Sequence, residues 1–531
     1  MRWIGVHAPA LSLEAFAATL GAAAPLTPLA LVVQHRIVAA NTVAAQAGVQ
    51  PGMKRATALA LVPSLVLGAA DEARDRQALN ALAHALLAFS PSVCWQAPHT
   101  VLAEVQASLR CFGGAEALWQ RMQAALAVLG HQLHWAEAPT ALAAAWLAQA
   151  QAQALTPSPT PPRLCQPLPH APWTRHLDEL PVSMLGLPAP LAERCVALGL
   201  PAPLAERCVA LGLSRLGELR AQPRAGLARR LGPECLTLLA RAYGEEADPR
   251  DWISPPTQFD SSLELPFRTE QVEPLLDAVA VLLQRLAAWA RAHQARVQRF
   301  ELRLQHQTRL RASSQGEAGA HRSVLGLALA EPSADVAHWL AVLRERLARE
   351  PLEAPVLGLA LHCAEPVFTA APSGELFPEL AGPDTQGLLR LIDRLQARLG
   401  AEAVHSLRLV HDHRPECATR THPVQAMPTH PAGQSAPTAP TALPRMTRPL
   451  WLLPQAQALP ERQGRPWLQG QPLRLLEGPE RIETGWWDEH LAVRDYFIAG
   501  LPNGHLCWVY KPRLPSAEAA TEGWFLQGWF G

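Results

Sequence analysis

The sequence predicts an α+β chain of several domains that ends in a small β-rich module. Three observations predict it. Over residues 1–150, short apolar runs alternate with amphipathic helical patterns, as in an α/β unit. Further along, the amphipathic stretch "EQVEPLLDAVAVLLQRLAAWARAHQ" is followed by "VQRFELRLQHQTRLR", in which apolar and polar residues alternate. Residues 448–531 carry Trp451, Trp467, Trp486, Trp487, Trp508, Trp524 and Trp529, with alternating runs either side of an Asn503–Gly504 turn. At 531 residues the chain exceeds what one core holds, and with 49% apolar residues it can fill several.

Taken in order, "RWIGVHAPALSLEAF" reads as a buried strand, a turn and a helix, with His7 at the strand's end. "PLALVVQHRIVAAN" is strand-like with a polar break at Gln34–Arg36. "ATALALVPSLVLG" reads as a short helix stopped at Pro63 and then a strand. "DEARDRQALNALAHALLAFS" is an amphipathic helix with acids in its first turn. A strand, "TVLAEVQASL", and a helix closed by Gly130 complete a domain over residues 1–155.

A proline-rich linker spans 156–178. The segment "LPAPLAERCVALG" then runs from Leu187 to Gly199 and recurs unchanged from Leu200 to Gly212. Pro201 and Pro203 break a continuous helix, so the extra copy is expected as a short surplus helix at the surface. Within 179–250, "ALGLSRLGELRAQPRAGLARRLG" has the form of two short helices around a glycine-bearing turn. Either its backbone N–H groups face a phosphate, with Gly212, Ser214, Arg215, Gly217 and Arg220 as the DNA-binding residues, or it is an ordinary helical hairpin.

The next α/β unit occupies 255–415. Phe300, Leu302 and Leu304 point to one side of its strand and Arg299, Glu301 and Arg303 to the other. Eight arginines between Arg285 and Arg322 face only Glu301 and Glu317 in sequence. That face either tracks a nucleic-acid backbone through Arg299 and Arg303 or is simply solvated. A Pro/Thr/Ala linker over 416–447 leads to the tryptophan-rich module at 448–531, whose tryptophans are either interface anchors or core.

The formal net charge is zero, so any nucleic-acid binding must come from local patches. Nearly all the basic residues are arginine, with only Lys54 and Lys511 as lysines. Nine scattered cysteines without a CxxC pair argue against structural zinc and against a disulfide framework, and fit a reducing cytoplasm. "HDHRPEC" at 411–417 matches no usual zinc spacing, so no metal and no cofactor are expected. Glu14 and His7 interrupt the apolar N-terminus, which reads as structure rather than a signal peptide, and no run is long enough to span a membrane.

The stretch "VVQHRIVAANTVAAQAGVQPGMKRATALALVPSLVLGAAD" resembles the fingers region of Y-family, lesion-bypass DNA polymerases. Ala44, Gly48, Val49, Gly52, Met53, Ala58, Leu61, Pro63 and Leu65 carry the likeness, and "FSPSV" and "SLRCFGG" follow in the family's order. The resemblance implies a palm and fingers, a helix-hairpin-helix thumb and a little finger over about residues 1–415. "RPLWLLPQAQAL", "GPERIETGWWDEHLAVRDYF" and "GWFLQGWFG" are similar to the tail of the polymerase-like subunits of bacterial mutagenesis cassettes.

The family clamps two magnesium ions with carboxylates from two palm strands. The resemblance aligns the first acid with His7 and the acidic pair with His99 and Thr100. The triphosphate ligands align with Thr42, Ala45 and Thr140. Glu104 and Glu14 remain nearby in sequence.

The resemblance therefore implies a non-catalytic adaptor in SOS-induced translesion synthesis and DNA repair. It would link DNA, the sliding clamp, a RecA-like accessory protein and a C-family error-prone polymerase. The alternatives are an active translesion polymerase using other acids and a general DNA-binding repair protein. "SGELFPEL" offers Glu375, Leu376 and Phe377 as a clamp-binding peptide, or as a loop tucked into its own domain.

Overall fold

In the computed structural model the described residues are 1–154, 173–185, 208, 210–306, 322–352, 354–368, 385–424, 448–488, 491–514 and 523–530. They divide into two units, Met1–Arg398 and Leu399–Gly531. Most of the duplicated segment and the whole of Glu375, Leu376 and Phe377 lie outside the described residues.

The opening apolar run forms β1 (Trp3–His7), an inner strand of an antiparallel sheet. With β5 (Val93–Gln96), β6 (Thr100–Glu104) and β7 (His134–Ala138), its order is β5-β6-β1-β7. Strand alternation sends Ile4, Val6, Val101 and Ala103 to one side. They pack there on α1 (Leu11–Ala17), α4 (Glu72–Leu87) and α5 (Ala115–Ala127). Trp3, Leu102 and Ala138 face α6 (Ala141–Ala154) on the other side. A Cβ on Gly5 would run into the Ala144 carbonyl, so glycine lets α6 approach β1 closely. Asp71 caps α4 by accepting from the backbone of Ala73 (2.8 Å) and Arg74 (3.3 Å).

A second, three-stranded sheet has the order β3-β2-β4, from β2 (Leu29–Val33), β3 (Arg36–Ala40) and β4 (Val66–Ala69). It carries α2 (Thr42–Gln46) and α3 (Arg55–Leu61). The expected linker at 156–178 gives way to α7 (Trp173–Asp178), because Leu177 is buried in the core that also holds α6. α8 (Leu216–Arg220), α9 (Arg224–Leu231) and α10 (Pro233–Ala242) complete that core with Leu216, Leu219, Leu227 and Leu239.

The rest of the first unit is an antiparallel sheet of order β10-β9-β11-β8. Its strands are β8 (Phe259–Thr269), β9 (Val297–His306), β10 (Arg322–Ser333) and β11 (Val356–Cys363). Phe300, Leu302 and Leu304 pack beneath α11 (Val272–Ala292) and α12 (Val336–Arg349), as their alternation predicts. α13 (Thr385–Leu399) follows. Buried Asp393 on α13 accepts from His338 Nε2 at 2.8 Å and from the Ala330 amide at 2.7 Å.

The expected domain edge at residue 415 moves to Leu399. The hairpin β12 (His405–Leu409) and β13 (Thr419–Pro423) belongs to the second unit. There Arg414 pairs with Asp488, and Arg494 with Glu416 at 2.7 Å. Thr419–Pro423 is thus strand within the span expected as linker.

The unit's remaining strands are β14 (Trp451–Leu459), β15 (Glu461–Arg462), β16 (Arg465–Leu468), β17 (Gln471–Pro472), β18 (Arg474–Thr484), β19 (Ala492–Gly500), β20 (Leu506–Pro512) and β21 (Trp524–Trp529). The main sheet has the order β14-β21-β20-β19-β18, and Gly504, with φ 88°, sits in the turn between β19 and β20. The tryptophans divide: Trp508 and Trp524 are core, whereas Trp451, Trp486 and Trp487 are exposed.

Candidate functional site: a palm floor without paired carboxylates

β1 and β6 set the floor. Their register pairs His7 with Thr100, and β7 places His134 opposite His7 on its other edge. His7 is only 7% exposed. Its Nδ1 lies 2.9 Å from Thr100 Oγ1. The Thr100 hydroxyl donates to the Pro98 carbonyl at 2.9 Å and accepts from Gln149 Nε2, on α6, at 3.2 Å. Thr100 has one hydroxyl proton and spends it on Pro98, so His7 donates from Nδ1. Burial, with His99 and His134 nearby, lowers the His7 pKa to about 4, so the ring is neutral at pH 7. Burial also lowers His99 and His134.

His99 is not on the strand. It occupies the turn before β6 with φ 44°, and only Thr100 is in register with His7. The surviving acids do not pair on the floor, although Asp75 acts on the charge of His99 and Glu14 on that of His134, each opposing the effect of burial. Glu104 pairs with Trp3 at the far end of β1, about 13 Å along the strand from Thr100. It accepts there from the amides of Arg2 (3.3 Å) and Gln106 (3.1 Å). Glu14 accepts from the Gln132 amide and lies 3.2 Å from His131 Nδ1. Asp75 accepts from the Ser12 hydroxyl.

Magnesium takes hard oxygen ligands, which a neutral imidazole and a hydroxyl committed to Pro98 do not supply. The donor set therefore does not fit the family's ion pair. Among the described residues no group of three or more His, Cys, Asp or Glu could hold a metal, and "HDHRPEC" forms ion pairs through Arg414 and Asp412 instead.

The positions aligned with triphosphate ligands have other surroundings. Thr42 and Ala45 are exposed on α2. Thr140 heads α6, accepts from the Ala143 amide (3.3 Å) and donates to the Ala242 carbonyl (2.7 Å), tying α6 to α10.

The candidate DNA-binding residues separate into two groups. Gly212 has φ 76° with open space at its Cβ position. The amides of Ser214 and Arg215, expected to face a phosphate, donate to Glu218 at 2.8 and 3.2 Å. Gly217 packs against Asp178, where a Cβ would come within 2.8 Å of the Asp178 Cβ. Arg220 stacks over Tyr243 at 4.1 Å and pairs with Glu245, as does Arg224. Burial raises the Tyr243 pKa, and its hydroxyl donates to Asp178 at 2.6 Å.

On β9, Arg299 is exposed, and Arg303 pairs with Glu301 at 2.9 Å. β8 adds Asp260 and Glu264 to this face, so its charge is mixed rather than basic. Arg285 is not on it at all: it is buried and donates to Gln77 Oε1 and Ser261 Oγ, both at 3.2 Å.

Residues 13–149 match the model of the impB/mucB/samB family. The protein ImuB from two strains of Caulobacter vibrioides is 27% identical over 500 residues, covering 91% of this chain and all of the relative. The chain is thus similar to ImuB over nearly its whole length. This ImuB-like chain also matches DinB from Sulfolobus solfataricus (17% identity, TM-score 0.34) and a Dbh ternary complex (15% identity, TM-score 0.34), each covering 70% of this chain and all of the other. Among the described residues no helix is long and apolar enough to cross a membrane.

One group of residues was missed in the sequence. His35, Arg36, Lys54 and Arg55 come together at one edge of the β3-β2-β4 sheet. The available signal was the absence of any acid between Glu14 and Asp71.

Proposed function

We propose that this chain is a non-catalytic, Y-family-like adaptor that acts on damaged DNA during error-prone translesion synthesis. The observation that carries this reading is the His7–Thr100–Gln149 network of neutral, mutually hydrogen-bonded groups, where the resemblance aligns paired carboxylates with His7 and Thr100. Without anionic oxygens there, attacking and leaving oxygens lack their electrostatic stabilisation. The ligand positions Thr42, Ala45 and Thr140 add support, since none bears a charge or an aromatic ring.

As an adaptor the chain would bind DNA, the sliding clamp, a RecA-like accessory protein and a C-family error-prone polymerase. Exposed Trp486 and Trp487, in edge-to-face contact at 5.3 Å, support a protein interface on the second unit. A deletion that tests this interface must begin at Leu399, because a cut at 448 severs the Arg414–Asp488 and Arg494–Glu416 pairs. Deletion from Leu399 should abolish binding of the accessory protein or the polymerase and spare DNA binding. Clamp binding is tested by Leu376→Ala/Phe377→Ala in a pull-down, where unchanged capture rejects that peptide.

Primer extension with magnesium or manganese tests the central reading. No template-directed incorporation is expected. Incorporation that Glu14→Gln, Asp75→Asn or Glu104→Ala abolishes would establish an active polymerase instead. DNA binding with neither clamp capture nor extension would establish a general repair protein.

A further inference from the structure

We infer that the β2–β3 edge of the first unit is a binding surface for the phosphate backbone of single-stranded nucleic acid. The inference rests on the DNA-linked reading above and assigns it a site.

β2 and β3 are joined by Gln34 and His35, whose φ values of 46° and 62° make a type I′-like turn. These are costly conformations for residues other than glycine, and the turn is held by its neighbours. The chain from Gly52 to Arg55 runs along β3. Gly52 donates to the Ile37 carbonyl (2.7 Å), Ile37 to Met53 (2.8 Å) and Arg55 to His35 (2.8 Å), while Arg36 and Lys54 form a β-bridge. Two distant segments thus bring His35, Arg36, Lys54 and Arg55 to one exposed edge.

No carboxylate pairs with any of the four among the described residues, and none occurs in the sequence from 15 to 70. In a chain of zero net charge this is a local excess. Such an excess costs self-repulsion unless an anion meets it. The contrast with Arg220, Arg224 and Arg303, all paired with glutamates, is internal to the molecule.

Single-stranded nucleic acid suits this edge better than duplex. Arg36 and Val38 share one strand face, and Val33 pairs opposite Arg36. Val33 and Val38 are both exposed, and the His35 ring adds a flat surface. Cations beside apolar and ring surfaces match a strand that offers phosphates and unstacked bases together.

The test measures anisotropy of a labelled single-stranded oligonucleotide with the full chain and with Lys54→Gln/Arg55→Gln across salt concentrations. Arg36 is left intact because its Nη1 donates to the Gly52 carbonyl at 2.8 Å. Losing two phosphate contacts should reduce the slope of log affinity against log salt by about 1.4, a loss of roughly 50-fold at 50 mM salt that fades toward 1 M. The charge-retaining Lys54→Arg/Arg55→Lys variant should bind like wild type, and an unchanged circular-dichroism melt of the neutral variant excludes misfolding as the cause of its loss. Wild-type slope and affinity in the neutral variant overturn the inference while the broader reading stands. An equal loss on hairpin duplex overturns the single-strand assignment. Retained nucleic-acid binding with loss of an acidic protein partner assigns the edge to that partner and overturns it too. Failure of the wild-type chain to bind any DNA removes both this inference and the reading beneath it.

Discussion

Acidification should loosen the palm floor through His7. The ring's pKa falls from 6.5 to about 4 because burial disfavours its charged form and His99 and His134 add to the effect. The folded state therefore prefers the neutral ring. The associated stability is complete above pH 6.5 and is lost as the pH falls from 6.5 toward 4. Protonating a ring with this shift costs roughly 3 kcal/mol, and partial solvent screening brings the expected loss to about 2 kcal/mol. Protonation itself leaves the Nδ1–H donation to Thr100 intact, so the loss is desolvation rather than a broken hydrogen bond. His7→Gln retains a donor for Thr100 and does not titrate. Hydrogen exchange of the β1 and β6 amides, corrected for intrinsic rates and followed from pH 7.5 to 4.5, reports this region alone, which whole-chain melting of several domains does not. The wild type should lose protection more steeply than the variant. Superimposable pH profiles, or a gain of protection on acidification, would refute the burial argument.

Three further substitutions test the first unit. Arg285→Met should be neutral or stabilising by up to about 2 kcal/mol in calorimetry, since among the described residues the buried guanidinium has only Gln77 and Ser261 as hydrogen-bond acceptors. Gln77 Oε1 would keep its bonds from Ser261 Oγ (3.0 Å) and the Ser262 amide (3.2 Å). Asp393→Ala should cost about 3–5 kcal/mol in urea unfolding of the β8–β11 domain, because it strands His338 and the Ala330 amide. Gly217→Ala should cost about 1–3 kcal/mol in thermal unfolding, because its Cβ meets Asp178.

Much of the fold was legible because burial imposes periodicity. The alternation of Phe300, Leu302 and Leu304 specified both β9 and its buried face, and Asn503–Gly504 marked the hairpin of β19 and β20. Short strands were harder to read: β5 and β7 are five residues or fewer and carry mixed polarity. Charge was hardest, because sequence counts cannot show who pairs with whom. The basic run from Arg285 to Arg322 dissolved once Asp260 and Glu264 arrived from β8 and Arg285 turned inward. The cationic group within the acid-free span to Asp71 is not legible in sequence, because its cations lie 18 residues apart until β3 unites Arg36 and Lys54. At the floor, alignment placed His99 and Thr100 together, and only the turn geometry separates them.

The persistence of β1 without its acid follows from where the energy resides. Ile4 and Val6 are buried in the core they share with α1, α4 and α5, and Gly5 sets the distance to α6. None of this depends on the identity of residue 7. Carboxylates that face one another without cations repel, so a catalytic floor is held at a cost in stability. Replacing them with a neutral histidine, a threonine and Gln149 removes that repulsion while satisfying the buried polar atoms. On the adaptor reading proposed above, the sheet is therefore more easily kept than lost, and the proposed cationic β2–β3 edge would carry function without the floor.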